Sequence, residues 1–254
     1  MAVDVSPLVP EARPIGAAAA DIFIRHTRPW LIGLLVHGSA LKGGVIPGCS
    51  DIDFQLYLRD EAFEDGRLRL DAGLAIQRDL STLDVAPFQY IQGYARSARL
   101  DESPAGSVGP IPGTYHMLFG ELPVPGATLD QALRRAHEVL DADRSYLGND
   151  LLHHGGGRLD RTTRYVCTDV WPVLFSLLLL RELDLGVWRL TKVEAINRLP
   201  APVRAAAGEF LRRVVTYYAR PHDVSEALMV IEQGAETIRL ARDALRICAD
   251  RRGR

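Results

Sequence analysis

Leu31 to His37 (LIGLLVH) is continuously apolar over the length of one strand, the pattern of a strand covered on both faces. Asp51 to Leu58 (DIDFQLYL) alternates instead, with polar residues at 51, 53 and 55 and apolar ones at 52, 54, 56 and 58. That period of two predicts a strand with one dry face, and its wet face opens on two aspartates. Before this pair, Gly16 to Arg28 mixes alanines with Ile22, Phe23 and Ile24 and stops short of Pro29, as a helix halted by proline does. After it, residues 61–80 read as a helix with Leu70, Leu74, Gln77 and Leu80 along one side. Asp84 to Gln92 (DVAPFQYIQ) reads as a third strand, with Pro87 arguing for an edge or a bulge.

From Gly93 to Gly126 proline and glycine dominate, broken by one apolar island at Tyr115 to Phe119, and this is the candidate linker. Beyond it the spacing is helical throughout. Leu129, Leu133, Ala136 and Leu140 step three and four apart, Arg161 to Leu183 is long and largely apolar, and Val224, Leu228, Ile231, Ala235 and Ile238 trace a stripe. The fold class expected is α+β: an N-terminal α/β domain with a mixed sheet over residues 1–105, a linker at 106–127, and a C-terminal all-helical bundle over 128–254. The longest apolar run, Val173 to Leu180, is well short of the roughly 20 residues that span a bilayer, so it predicts a buried core helix and no membrane partner.

Composition narrows the function. At 254 residues, 47% hydrophobic and 24% charged, the chain is neither disordered nor fibrous. Thirty basic against 32 acidic side chains leave a net charge of −2, which offers no broad positive field to nucleic acid, so small ligands are the better expectation. Three scattered cysteines, Cys49, Cys167 and Cys248, and a start without an apolar signal stretch predict reduced thiols and a cytoplasmic protein.

The chemistry concentrates in residues 34–58. A buried strand delivers Gly38-Ser39 to a turn, eleven residues intervene, and Asp51-x-Asp53 opens the next strand. Gly38 lets the backbone approach an oxyanion, Ser39 brings a hydroxyl and an amide, and a helix starting near Ala40 would aim its positive end at the same place. Asp51 and Asp53 project side by side on the strand while Ile52 anchors it. Two adjacent carboxylates repel each other unless a cation lies between them, and Mg²⁺ favours such oxygen ligands together with substrate phosphates. A third acid on a neighbouring strand would hold a second ion or accept a proton; Asp84 is the first candidate, with Asp71 and Asp79 as rivals. His37, ending a buried strand just before the Gly-Ser turn, reads as a structural donor rather than a residue lining the nucleotide site. The His153-His154 pair reads as part of a loop, Lys42 as a solvated lysine, and Trp171 and Trp188 as packing residues, with Asp169 undecided.

Gly-Ser, a dozen residues, Asp-x-Asp and then a single acid resemble the nucleotidyltransferase superfamily of DNA polymerase beta type over residues 31 to about 92. Within it the chain is most similar to aminoglycoside adenylyltransferases of the streptomycin and spectinomycin resistance type. Thinner likenesses lie in MLFGELPV (117–124), the helix with Trp171, and Arg198-Leu199-Pro200. The resemblance implies a Mg-dependent adenylyltransferase that moves AMP from ATP to a hydroxyl of a small molecule, with pyrophosphate released. It implies that Gly38 and Ser39 meet the nucleotide phosphates, that Asp51 and Asp53 hold Mg²⁺, and that Asp84 stands where the family has a glutamate as base and metal ligand. It further implies that Arg198 and Arg212 lie near the triphosphate, that Asp184 and Glu194 contact a cationic substrate, and that the helical domain closes over the nucleotide. Shortening the third acid by one methylene keeps a second reading open, a nucleotide-binding regulator or antitoxin-like module with little turnover. A polymerase or tRNA-modifying enzyme is disfavoured by the neutral charge.

Overall fold

The computed structural model describes residues 3–98 and 109–252, with side chains through residue 246. The chain forms two compact units, Met1–Ala127 and Thr128–Arg254. The first is a mixed sheet with helices packed on one face, and the second is entirely helical, so the α+β class holds.

In the first unit α1 (Arg13–Thr27) precedes β1 (Leu31–His37), the four-residue α2 (Ser39–Lys42) and β2 (Ile52–Leu58). β1 and β2 are antiparallel, with His37 opposite Asp53 and Val36 opposite Phe54. Leu34 and Val36 of β1 and Ile52, Phe54, Leu56 and Leu58 of β2 are buried with Ala19, Ala20, Ile22 and Phe23 of α1. Phe23 packs on Phe54 with ring centroids 5.2 Å apart. On the opposite face of the sheet Leu35, Tyr57 and Val124 form a small apolar cluster with Tyr115, Met117 and Leu122 packed against it.

Three boundaries differ from those the sequence predicts. The helix expected from residue 61 begins at Leu70 (α3, Leu70–Leu80), because Asp65 and Gly66 both take left-handed backbone and turn the chain through the short hairpin of β3 (Phe63–Glu64) and β4 (Arg67–Leu68). The third strand runs later than expected, as β5 (Ile91–Ser97), parallel to β2. Pro87 has no N–H for a ladder, and Asp84 closes a local turn by accepting from the Ala86 N–H at 3.0 Å, so pairing starts only beyond both. Finally, the segment expected as a linker holds β6 (Tyr115–Gly120), antiparallel to β1, in a sheet of order β5-β2-β1-β6; residues 106–108 of that segment lie outside the described residues. A Cβ on Gly120 would lie 1.9 Å from the Ile32 carbonyl oxygen, so glycine is what allows β6 to end against β1.

The second unit contains α4 (Leu129–Asp141), α5 (Tyr146–Asp150), α6 (Arg158–Glu182), α7 (Lys192–Arg198), α8 (Ala201–Ala219) and α9 (Val224–Arg252). α6 is long and apolar enough to cross a bilayer by length and composition, but every residue from Val173 to Leu180 is buried within the helical unit. Trp171 packs on Phe210 at 5.5 Å and Trp188 stacks on Phe175 at 5.4 Å, so both indoles contribute to packing in this unit. Cys49 and Cys167 are buried, and the side chain of Cys248 lies outside the described residues.

On α9 the buried face is Ala227, Val230, Ile231, Gly234, Thr237, Ile238 and Ala241, which keeps Ile231 and Ile238 of the predicted stripe but leaves Val224, Leu228 and Ala235 exposed. Small residues let α9 approach α6, and a Cβ on Gly234 would meet Val166 Cγ1 at 2.2 Å and Phe210 Cε2 at 3.1 Å. Gly234→Ala gains about 1 kcal/mol of helix propensity. Val166 and Phe210 are themselves fully buried and have no room to yield, so overpacking of about 1–3 kcal/mol outweighs that gain. The expected result is a melting temperature several degrees lower by calorimetry; an unchanged or higher one would show that the helices separate without cost.

Candidate active site

At the end of β1 the chain passes through Gly38 at φ +76° and ψ −151°, a conformation essentially restricted to glycine, and Ser39 then opens α2. Ser39 is buried, and its hydroxyl donates to the Asp51 carbonyl oxygen at 3.4 Å, which joins the two halves of the sequence pattern. Gly38 faces the second aspartate closely: a Cβ there would stand 2.5 Å from Asp53 Oδ2. The connection between the halves is fastened by Ile46 N–H donating to Ser50 Oγ at 2.9 Å, and by Gly48 N–H to Pro87 O and Gln89 N–H to Ser50 O, both at 2.8 Å. Gly38, Ser39, Asp51 and Asp53, four of the predicted site residues, are thus brought together at the head of β1 and β2.

The third acid is not brought to them. Asp84 is exposed in the loop between α3 and β5, outside the sheet, held by its own turn. Its rivals are engaged elsewhere: Asp79 accepts from His26 at 2.7 Å and pairs with Arg25 at 3.1 Å, and Asp71 pairs with Arg69 at 3.2 Å. The residue beside Asp53 in the parallel β2–β5 register is Gln92. With its carbonyl oxygen turned to accept from the Tyr94 hydroxyl, the Gln92 amide nitrogen donates to Asp51 Oδ2 at 3.1 Å and to Asp53 Oδ1 at 3.2 Å. The opposite orientation would set a carbonyl oxygen against two carboxylates. The site is therefore two carboxylates and one amide, and among the described residues no group of three or more His, Cys, Asp or Glu is arranged to hold a metal ion.

Sequence reasoning missed Gln92 and Tyr94 because it placed the strand seven residues early. A signal was present in IQGYARS, where Gln92, Tyr94 and Arg96 alternate with Ile91, Gly93 and Ala95. Burial, and then the charge of Asp53, push the Tyr94 phenol up, so it keeps its proton. Burial pushes His37 down to about 4 against the weaker opposing pull of Asp51, so it is neutral. The Tyr57 hydroxyl donates to Gln55 Oε1 at 3.0 Å, which turns the Gln55 nitrogen to within 3.3 Å of His37 Nε2 and assigns the imidazole proton to Nδ1. His37 thus accepts from Gln55, where the sequence led to the expectation of a donor.

The remaining predicted residues belong to the helical unit, and each is engaged within it. Arg198 donates to Glu182 at 3.0 Å and Arg212 to Glu209 at 2.8 Å. Arg212 and Arg213 hold the Glu209 carboxyl at about 2. Asp184 caps the 3₁₀ turn Leu185–Arg189 by accepting from Gly186 N–H at 2.8 Å. Glu194 completes a capping box at the start of α7, accepting from the Thr191 N–H and hydroxyl at 2.8 Å each. Asp169 accepts from the Tyr146 hydroxyl at 2.5 Å and pairs with Arg144 at 3.3 Å, which links α6 to α5 and the turn before it. His153 and His154 are exposed in the loop before α6.

No family model matches the sequence, and no curated protein matches it. Among solved structures the chain is similar to the spectinomycin adenyltransferase of Enterococcus faecialis, crystallised with ATP and spectinomycin, at 11% identity and a TM-score of 0.46, covering 86% of this chain and 96% of that one.

Proposed function

We propose that this protein is a nucleotidyltransferase that binds Mg-ATP at the head of β1 and β2 and transfers AMP to an oxygen of a small molecule, with release of pyrophosphate. The observation that carries this reading is the close packing of the Gly38-Ser39 turn against the Asp51–Asp53 pair, with only a glycine fitting beside Asp53 Oδ2. Two carboxylates bridged by a hydrogen-bond donor are a site whose charge favours a divalent cation, and an open backbone turn beside them suits a phosphate chain. Bound there, Mg²⁺ would supply charge neutralisation for the phosphates and for the oxygens that gain charge in the reaction.

This chain's own part is to orient. Asp51 and Asp53 fix the position of the charge, Gly38 leaves room for the phosphate chain, and Ser39 offers a hydroxyl beside it. In the reaction an acceptor hydroxyl oxygen bonds to the α-phosphorus, the bond from that phosphorus to the pyrophosphate oxygen breaks, and the hydroxyl proton is lost. Asp84 does not serve as the base in this reading, since it lies outside the sheet. Gln92 and Tyr94, beside the pair, hold protons rather than take them, so the proton passes to solvent and turnover is slow. By its sequence resemblance the acceptor is an aminoglycoside-like hydroxyl compound. We assign Arg198 and Arg212 to the nucleotide, and Asp184 and Glu194 to the acceptor, on that resemblance alone. Gln92 in place of an acid favours a second reading, a nucleotide-binding module with little turnover.

Thermal-shift measurement with ATP, with Mg²⁺ and with both, followed by a pyrophosphate-release assay over a panel of amino-sugar and nucleoside acceptors, tests the reading. Mg-ATP at about 100 times its Kd is expected to stabilise the fold by about 2.7 kcal/mol, and either component alone far less. Absence of that joint effect overturns the proposal. Stabilisation with no release across the panel selects the second reading.

A further inference from the structure

Gln92 does more than fill a place on β5. Its two amide hydrogens go to different aspartates, one to Asp51 Oδ2 and one to Asp53 Oδ1, so a single neutral group spans the pair. The Tyr94 hydroxyl beside it both donates and accepts, so it can bond either end of the amide. The amide is therefore satisfied at Tyr94 in either orientation, and only the carboxylates choose between them. We propose that Gln92, seated on Tyr94, is a latch that holds the Asp51–Asp53 pair together when no cation is bound and yields when a divalent ion takes the pair.

The proposal rests on reading the pair as a cation site, and it makes Gln92 the positioning residue that sets how strongly that site takes its ion. A neutral donor brings only partial positive charge to the carboxylates, whereas a divalent ion brings full charge to both, so the ion displaces the amide. Every ion bound must first break two hydrogen bonds, which lowers apparent affinity. A carboxylate at this place would do the reverse, repelling the pair when empty and adding a ligand when loaded.

Two variants separate the latch from simple packing: Gln92→Glu, which is isosteric, and Gln92→Met, which keeps the length without hydrogen bonds. Melting is followed in chelator and over a Mn²⁺ titration, and Mn²⁺ binding is read separately by the loss of the free-ion EPR signal. In chelator both variants are expected to melt several degrees below the parent, with Gln92→Glu the lower. Saturating Mn²⁺ is expected to close the gap, and Gln92→Glu to bind Mn²⁺ at least about tenfold more tightly. A packing role would lower both melting points equally with and without Mn²⁺, and that result overturns the proposal. So does a Gln92→Glu variant that matches the parent in chelator and in Mn²⁺ affinity while the parent itself binds Mn²⁺. If neither the parent nor any variant binds Mn²⁺, the latch falls together with the cation site, so failure of the inference and failure of the underlying reading give different results.

Discussion

The double substitution Asp51→Asn with Asp53→Asn is expected to abolish the joint stabilisation by Mg²⁺ and ATP and to lower pyrophosphate release at least about a thousandfold, while leaving the fold as stable in chelator as the parent or more so. The opposite signs follow from the same charges. Both carboxylates sit side by side at the start of β2 and both accept from the Gln92 amide, so neutralising them removes mutual repulsion and keeps acceptor oxygens for Gln92. Asparagine matches aspartate in shape, and the fully buried Ile52 between them continues to anchor the strand. What is lost is the charge that draws a divalent ion out of water, which hydrated Mg²⁺ gives up only to anionic oxygens. Joint stabilisation that survives the substitution places the cation elsewhere, and a large loss of stability in chelator shows that the aspartates serve the fold rather than a ligand.

What could be read from the sequence tracks how local each feature is. β1 and β2 announce themselves through their own periodicity, and Gly38, Ser39, Asp51 and Asp53 lie within one short stretch whose geometry follows from two adjacent strands. β6 was hidden in a proline- and glycine-rich segment because its only reason to be a strand is β1, more than seventy residues earlier in the chain. Gln92 was missed for a related cause: which residue stands beside Asp53 is decided by the register of β5 against β2, and that register is set by where Pro87 and the Asp84 turn release the chain. An acid eight residues away therefore looked like the partner. In the helical unit the local part played by Glu194 was legible in principle, since Thr191-x-x-Glu194 spells a capping box. The α9 stripe held at Ile231 and Ile238 and missed at Val224, Leu228 and Ala235, because the face that packs is made partly of Gly234, Thr237 and Ala241, whose virtue is being small.

Gly38→Ala is the second large effect expected, and it arises from two separable causes. At φ +76° and ψ −151° any side chain is strained, at a cost of about 1–3 kcal/mol. In addition the new methyl would stand 2.5 Å from Asp53 Oδ2, far inside contact distance, so the carboxylate must rotate away from Gln92 and from the turn. Mg-ATP affinity is then expected to fall at least about a hundredfold, together with a modest loss of stability. Gly66→Ala is a reference for a positive φ without a clash, since Gly66 has a φ of +73° and open space around the position of a Cβ. It is expected to lose about 1 kcal/mol of stability and no nucleotide affinity. The second cause shows in coupling: with Asp53→Ala in the background, Gly38→Ala has no carboxylate to displace, so its cost in stability should shrink to the backbone strain alone. Equal costs in both backgrounds would mean that the turn and the aspartate are independent, and the shared site at the head of β1 and β2 would lose the contact on which it is built.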